Sequence, residues 1–263
     1  MKYLFWNTRN NEEINSVLSE IIIENDISFV ILAEYTASLD ELLERLSLFD
    51  VHMEVYPAIG CKRITVLGTN MCVELGPQSE RYSIQILNKD QIIGCVHLPS
   101  KLHGGTLRRR LVVNSLVEDI RNLEIALKTD KTLIVGDFNE NPYEEDFVNP
   151  DGLFAVSSYI EAKRRTRILE GKEYQMFYNP MWNLFGDFTE PYGTYFYNGD
   201  GECWNIFDQV VISPSLRERF VDRNLKIVTE TLSTNLLKFN GRPNTEYSDH
   251  LPIIFELEDI NEH

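Results

Sequence analysis

Three stretches of this chain constrain its fold more than any other feature: KYLFWN (2–7), ISFVILAEY (27–35) and KTLIVGDFN (131–139). Each is a nearly unbroken apolar run that stops abruptly at a polar residue. Successive side chains on a strand point to opposite faces, so a run apolar at consecutive positions belongs to a strand covered on both sides. A single open sheet with one wet face does not satisfy such runs. They require layers on either side.

The intervening sequence supplies those layers. From Asn11 to Glu24, Ile14, Val17, Leu18 and Ile21 fall on one helical face. Ser38 and Glu41 have the spacing of a capping box, followed by Leu39, Leu42, Leu43 and Leu46 at helical intervals. The period returns between Thr106 and Lys128 as a stripe of Val112, Leu116, Ile120, Leu123 and Leu127. Short strands fill the gaps: VHMEVY, KRITVLGT, MCVEL, RYSIQIL and QIIGCVHL, several separated by Gly, Pro, Asn or Asp as in hairpins. IFDQVVIS, LKIVTE and the terminal LPIIFEL complete the set. The pattern predicts an α/β fold with two packed mixed sheets and helices outside. KYLFWN and TLIVGDFN, each a strand ending in a polar cluster, hint at an internal duplication. No linker divides the 263 residues, so one domain is expected over 1–263, with an aromatic-rich insertion at about 153–198.

Composition excludes some functions. The formal net charge of −16 argues against indiscriminate coating of duplex DNA, which depends on Lys and Arg neutralising phosphates. Basic residues still cluster locally, in LHGGTLRRR and EAKRRTR. Four cysteines without CxxC spacing read as reduced, buried thiols. No apolar stretch has the length of a signal peptide or a membrane span, so a soluble cytoplasmic protein with no membrane partner is expected.

The chemistry lies at the strand ends. Asn7 ends the first strand, Glu34 the second, His97 ends QIIGCVHL, and Asp137 and Asn139 end TLIVGDFN. Asp208 sits within NIFDQVV, and Asp249 and His250 precede the final strand. Taken singly, each has a plain structural explanation as a cap, a turn or a satisfied polar group. Together they place carboxylates, amides and imidazoles where strands can converge on one rim. Buried carboxylates there need partners or a metal. Such a donor set suits Mg²⁺ or Mn²⁺, hard cations that prefer oxygen. A structural zinc site is excluded by the lack of a Cys/His cluster.

The ordered motifs WN, AEY, HLPSK, GDFN, FDQVV and SDHLPI resemble those of the endonuclease/exonuclease/phosphatase superfamily of metal-dependent phosphoesterases, from residue 7 to residue 250. The resemblance implies a four-layer α/β/β/α sandwich and hydrolysis of a phosphate ester. It implies Glu34 as main metal ligand, helped by Asn7 and, through water, Asp249. Asp137 would deprotonate the attacking water and Asn139 would donate to the phosphate. His250 would face a phosphoryl oxygen as an imidazolium supported by Asp208. His97 would be a further donor, at a position where some members carry Tyr. One departure is visible: NIFDQVV lacks the basic residue that many family nucleases carry shortly before this aspartate.

For the substrate, two regions stand out. Lys101, Arg108, Arg109 and Arg110 follow His97 at the start of a helix, where backbone N–H groups and basic side chains can hold phosphate. KRRTR (163–167) precedes a run of aromatics that includes Trp182, and charge beside rings suits a single-stranded nucleic acid or nucleotide. Lys101, Arg109, Arg110 and Trp182 are the expected substrate contacts. A nuclease or nucleotide phosphodiesterase is favoured. A phosphatase or phospholipid phosphodiesterase, or a non-catalytic binding module on the same fold, stays open.

Overall fold

The computed structural model describes residues 1–186, 190–199 and 203–258, and only the backbone of 101–104. In chain order the strands are β1 (Lys2–Asn7), β2 (Phe29–Ala33), β3 (Glu54–Tyr56), β4 (Ile64–Gly68), β5 (Val73–Gln78), β6 (Tyr82–Leu87), β7 (Gln91–His97), β8 (Lys131–Asp137), β9 (Ala155–Val156), β10 (Thr166–Leu169), β11 (Lys172–Gln175), β12 (Phe177–Tyr178), β13 (Tyr195–Tyr197), β14 (Cys203–Asn205), β15 (Asp208–Ile212), β16 (Lys226–Ile227) and β17 (Ile253–Glu256). The three longer helices are α1 (Asn15–Glu24), α2 (Leu39–Ser47) and α3 (Lys101–Leu127).

Two mixed sheets carry the fold. One runs β16-β17-β1-β2-β4-β3, the other β5-β6-β7-β8-β15-β12-β9. β10-β11 and β13-β14 are separate hairpins. The alternation along β1 explains the layering. Tyr3 and Phe5 point into a core shared with Ile93, Cys95, Leu133 and Val135 of the second sheet. Leu4 and Trp6 point the other way, against Val17, Leu18 and Ile21 of α1 and Leu42 and Leu46 of α2. On the far side, Ile92, Val96 and Ile134 meet Val113, Leu116 and Ile120 of α3. The result is the expected α/β/β/α sandwich. Each fully buried Leu, Ile or Phe contributes roughly 1.5–3 kcal/mol, which is why the unbroken apolar runs hold the centre.

Sequence signals set the local details. Ser38 caps α2 by accepting from the N–H of Glu41 at 3.2 Å. The Glu41 carboxylate instead takes Arg45 and Asn15, so only half of the expected box forms. Gly105, at φ 68° and ψ 159°, breaks α3 just before the periodic stretch that begins at Thr106. α1 starts at Asn15 rather than Asn11. Cys61 and Cys95 are buried, but Cys72 and Cys203 are exposed, which corrects the expectation of four buried thiols. Within the aromatic-rich stretch, β9 and β12 extend the edge of the second sheet.

The duplication hint needs a different pairing. β1 and β2 are parallel neighbours joined through α1, flanked by antiparallel β17 and β4. β7 and β8 are parallel neighbours joined through α3, flanked by antiparallel β6 and β15. Topologically, KYLFWN therefore matches QIIGCVH, and FVILA matches TLIVGD. Both sheets present the C-terminal ends of their parallel pair, and the N-terminal ends of the flanking strands, to the same rim.

Candidate active site

That rim gathers the polar strand ends. In the second sheet, Asp137 lies in register between His97 and Asp208. In the first, Asn7 ends β1 beside Ala33 of β2, with Glu34 next in the chain. Asn7 Nδ2 donates to Asp137 Oδ2 at 2.9 Å and ties the two sheets together. The first sheet also brings the C-terminal loop. Ser248 Oγ donates to the Asn7 carbonyl at 2.7 Å and accepts from His250 N at 3.1 Å. Trp6 Nε1 donates to the His250 carbonyl at 2.9 Å. Tyr247 to His250 precede β17, so Asp249 and His250 escape the strand alternation that would separate them.

Several residues leave the ordinary backbone regions here, among them Arg9 and Asn10 after β1. Glu34 (φ 51°) takes a left-handed conformation directly after β2, and Asn139 (φ 52°) does so two residues after β8. Such residues carry local strain of about 1–3 kcal/mol and cluster at functional sites. For Glu34 the turn is pinned by Thr8 Oγ1 and by the N–H of Asn10, both donating to its carbonyl, at 2.9 and 2.8 Å. Its carboxylate accepts from Asn10 Nδ2 at 2.9 Å.

Asp137 is buried. Its Oδ1 accepts the Asn139 N–H at 2.8 Å, and its Oδ2 takes Asn7 and lies 3.7 Å from His97 Nε2 and 3.9 Å from His250 Nε2. Burial raises its pKa; the His250 charge opposes this and the Asp208 charge adds to it. His250 is buried with its Nδ1 against the Asp208 carboxylate. Burial pulls the ring down, but the charges of Asp208 and Asp137 and the hydrogen bond to Asp208 outweigh it and hold its pKa above the ordinary value. Tyr195 packs on the ring, centroids 4.7 Å apart.

His97 is different. Burial, then the charges of Arg63, Arg81 and His250, hold it down at about 3, a neutral ring at physiological pH. Its Nε2 faces Glu34 Oε1 at 3.3 Å, while its Nδ1 is buried without a partner. As a donor it is thus turned toward Glu34. Asn139 Nδ2 likewise donates to the Leu98 carbonyl at 3.0 Å. Asp249 meets Arg9, Nε to Oδ2 at 3.6 Å.

Asp137, Asp208 and His250 offer ligand atoms within 4.8 Å of one another. Two of the three are already engaged: Asp208 accepts from His250 Nδ1, and a ring held above its ordinary pKa is protonated and has no lone pair to give. The oxygen donors that could hold a divalent cation beside Asp137 are the carboxylate of Glu34 and the side-chain oxygen of Asn7. Both are hard oxygen donors, the type such a cation prefers.

These residues border a cleft of about 670 Å³, together with Arg63, Arg81, Tyr197 and Phe207. Sequence reasoning missed Arg9, Arg63, Arg81 and Phe207, and had Tyr195 and Tyr197 only as members of the aromatic run. The one available signal was position: Arg63 and Arg81 each precede a strand whose start reaches the same rim.

The expected substrate contacts are largely corrected. Arg109 is buried between Glu140 and Asp146, with Nε 2.8 Å from Asp146, and cannot reach a ligand. Arg110 pairs with Glu145 and Asp146 and borders a separate depression with Asn114 and Arg121. Trp182 packs beside Tyr143 and Phe185, outside the cleft lining. The side chain of Lys101 and residue Phe188 lie outside the described residues. Arg164 and Arg165 pair with Glu161 and Asp130, and Asp130 is at the opposite end of β8, about 20 Å from Asp137.

The sequence profile of the Endonuclease/Exonuclease/phosphatase family matches residues 85–259. A comparison with curated proteins gives no match. Among solved structures, the chain is similar to an AP endonuclease from Archaeoglobus fulgidus, at 12% identity and TM-score 0.58, covering 98% of this chain and 100% of that one. It is similar to a 3'-5' exonuclease from Neisseria meningitidis at 14% identity and TM-score 0.57, with 98% and 100% covered. It is also similar to TDP2 from Caenorhabditis elegans at 16% identity and TM-score 0.56, with 97% and 74% covered. At these identities the likeness is one of fold.

Proposed function

The chain belongs to the endonuclease/exonuclease/phosphatase family, and from that premise we propose that it hydrolyses a phosphodiester in a nucleic acid or nucleotide, with Mg²⁺ or Mn²⁺ as cofactor. The observation that carries the reading is the convergence of Asn7, His97 and His250 on the single carboxylate Asp137, each from a different strand or loop. The whole chain acts as one domain. A cation held by Glu34 and Asn7, with Asp249 reaching it through water, would neutralise charge on the phosphoryl oxygens.

The protein's own groups do the rest. Asp137, fixed by Asn7 and by the Asn139 N–H, takes a proton from the attacking water. Its raised pKa makes it a better base than an exposed aspartate. His250 keeps its Nδ1 proton on Asp208 and directs its Nε2–H at a non-bridging oxygen as negative charge grows there. Fixed donors of this kind are worth about 3–4 kcal/mol. Tyr195, Tyr197 and Phe207 line the cleft with rings on which a base can stack. That lining supports a nucleic acid or nucleotide over a lipid headgroup, and no described helix is long and apolar enough to cross a membrane.

The test is cleavage of labelled single-stranded DNA, duplex DNA, RNA and a generic bis-phosphodiester, with Mg²⁺, with Mn²⁺ and with chelator. Metal-dependent cleavage of a polynucleotide is expected. Phosphate release from monoesters alone points to a phosphatase, and silence across the panel to a binding module. Asp137→Ala and His250→Ala should each lose at least about two orders of magnitude in rate; near-normal turnover in either folded variant sinks the assignment.

A further inference from the structure

Two guanidinium groups in the cleft have no task in this scheme. The Arg63 carbonyl accepts from Glu34 N at 3.1 Å, and the Arg81 carbonyl accepts from His97 N at 2.9 Å. Each arginine is thus one strand outward from a site residue, about 5 Å along the sheet, one in each sheet. Both border the same cleft as Asp137 and His250.

Neither forms an ion pair with a described residue, and the Nε of Arg81 is buried without a partner. The neighbouring carboxylate, Glu80, is exposed and faces Arg108 at 3.8 Å. The arginines also oppose one another: after burial, the charges of Arg63 and Arg108 lower the pKa of Arg81. This is unusual in a chain with 41 acidic and 25 basic residues, whose fully buried Arg109 has two carboxylate partners. Arg81 is partly buried with its Nε unpartnered and Arg63 stands exposed at the cleft mouth, so a bound anion would meet two guanidiniums that hold no ion pair with a described residue.

We propose that Arg63 and Arg81 form a second anion subsite, one group away from the scissile phosphate, that takes a terminal phosphomonoester. This rests on the phosphoesterase reading of the site, and it names the substrate class: a short phosphodiester carrying a terminal phosphate beside the bond that is cut. The charge selects the monoester. A terminal phosphate carries close to two negative charges at neutral pH and three acceptor oxygens, matching two guanidiniums. A bridging diester carries one charge and leaves one arginine uncompensated. Planar guanidinium forks bind such oxygens in pairs.

The experiment is calorimetric binding of three thymidine dinucleotides to the full chain in chelator, at about 150 mM salt: one 5′-phosphorylated, one 3′-phosphorylated, one with neither phosphate. One phosphorylated form should bind at least about tenfold more tightly than the bare dinucleotide, and which one it is reports the strand polarity in the cleft. Arg63→Met/Arg81→Met should lose the preference, and Asp137→Asn should keep it. Should the double variant fold poorly by circular dichroism, Arg63→Met alone, at an exposed position, should still reduce the preference. Equal binding of all three, or a preference that survives in the variants, overturns the subsite. The readout needs no turnover. A preference without cleavage of any phosphodiester would remove the hydrolytic reading and leave the subsite, and cleavage without a preference would do the reverse.

Discussion

Both carboxylate oxygens of Asp208 face one ring nitrogen, His250 Nδ1, at 3.0 and 2.8 Å. The carboxylate is fully buried and its backbone N–H is held by Thr194 Oγ1 at 3.1 Å, so the pair has one geometry. It fixes which edge of the imidazole reaches the cleft.

Asp208→Asn keeps the shape and removes the charge. Burial then dominates and the His250 pKa falls. Turnover at neutral pH should drop at least about a hundredfold, and the pH optimum should move to lower pH, where the ring regains its proton. Rates across pH, with the ring protons followed by NMR, check both. An unchanged pH profile would show that Asp208 does not set the state of His250.

The two site histidines should tilt stability in opposite directions. His97 has a folded pKa of about 3 against an ordinary 6.5. Its contribution is intact above 6.5 and is lost as pH falls, because the unfolded ring takes a proton that the folded one refuses. His250 is raised, so its contribution is present below 6.5 and is lost as pH rises through the folded value. Asp137, also raised, opposes the His97 slope in the acid range, so variants are the proper comparison. In urea unfolding of chelated protein, His97→Gln should weaken the loss on the acid side and His250→Gln the loss on the alkaline side. Parallel curves for both variants and wild type would refute the assignment of charge states.

Much of this was legible because buried strands advertise themselves. KTLIVGDFN has no polar position between Thr132 and Asp137, so the first polar group after the core had to emerge at a rim. The same logic located Asn7, Glu34 and His97. What stayed hidden depends on distant pairing. Arg109 in a helix's first turns looks solvated; only its packing against Glu140 and Asp146, more than thirty residues on, shows it buried. Ser248 bonds the Asn7 carbonyl from 241 positions away, a pairing no local pattern announces. The matching of KYLFWN with TLIVGDFN failed because polar endings are common to all four parallel strands, and only strand order separates them.

Gly136 is the residue that lets β8 lie against β7 where His97 and Asp137 come into register. A Cβ there would stand 2.0 Å from the Val96 carbonyl oxygen. Gly136→Ala must push the strands apart at the site. We expect a loss of about 3 kcal/mol or more and a larger proportional loss of activity than of folded protein, measured by denaturant titration beside specific activity. Full activity in a stable Gly136→Ala protein would mean that this approach does not position Asp137.

Arg109 separates a structural from a substrate-binding role. Its guanidinium is fully buried and satisfies Asp146 at 2.8 Å and Glu140. Both carboxylates belong to the segment that follows Asp137, so the arginine braces the backbone just beyond the site. Arg109→Met would take from Glu140 and Asp146 the guanidinium they share, leaving Asp146 with Arg110 alone of its two arginines. Breaking a buried pair in this way costs about 3–5 kcal/mol, which should appear as a large drop in melting temperature. The substrate KM of the fraction that remains folded should stay near wild type, because the side chain does not reach the cleft. Asp146→Asn in the same background should recover part of the stability by removing one carboxylate that has lost a buried partner. A raised KM with unchanged stability would instead return Arg109 to the substrate.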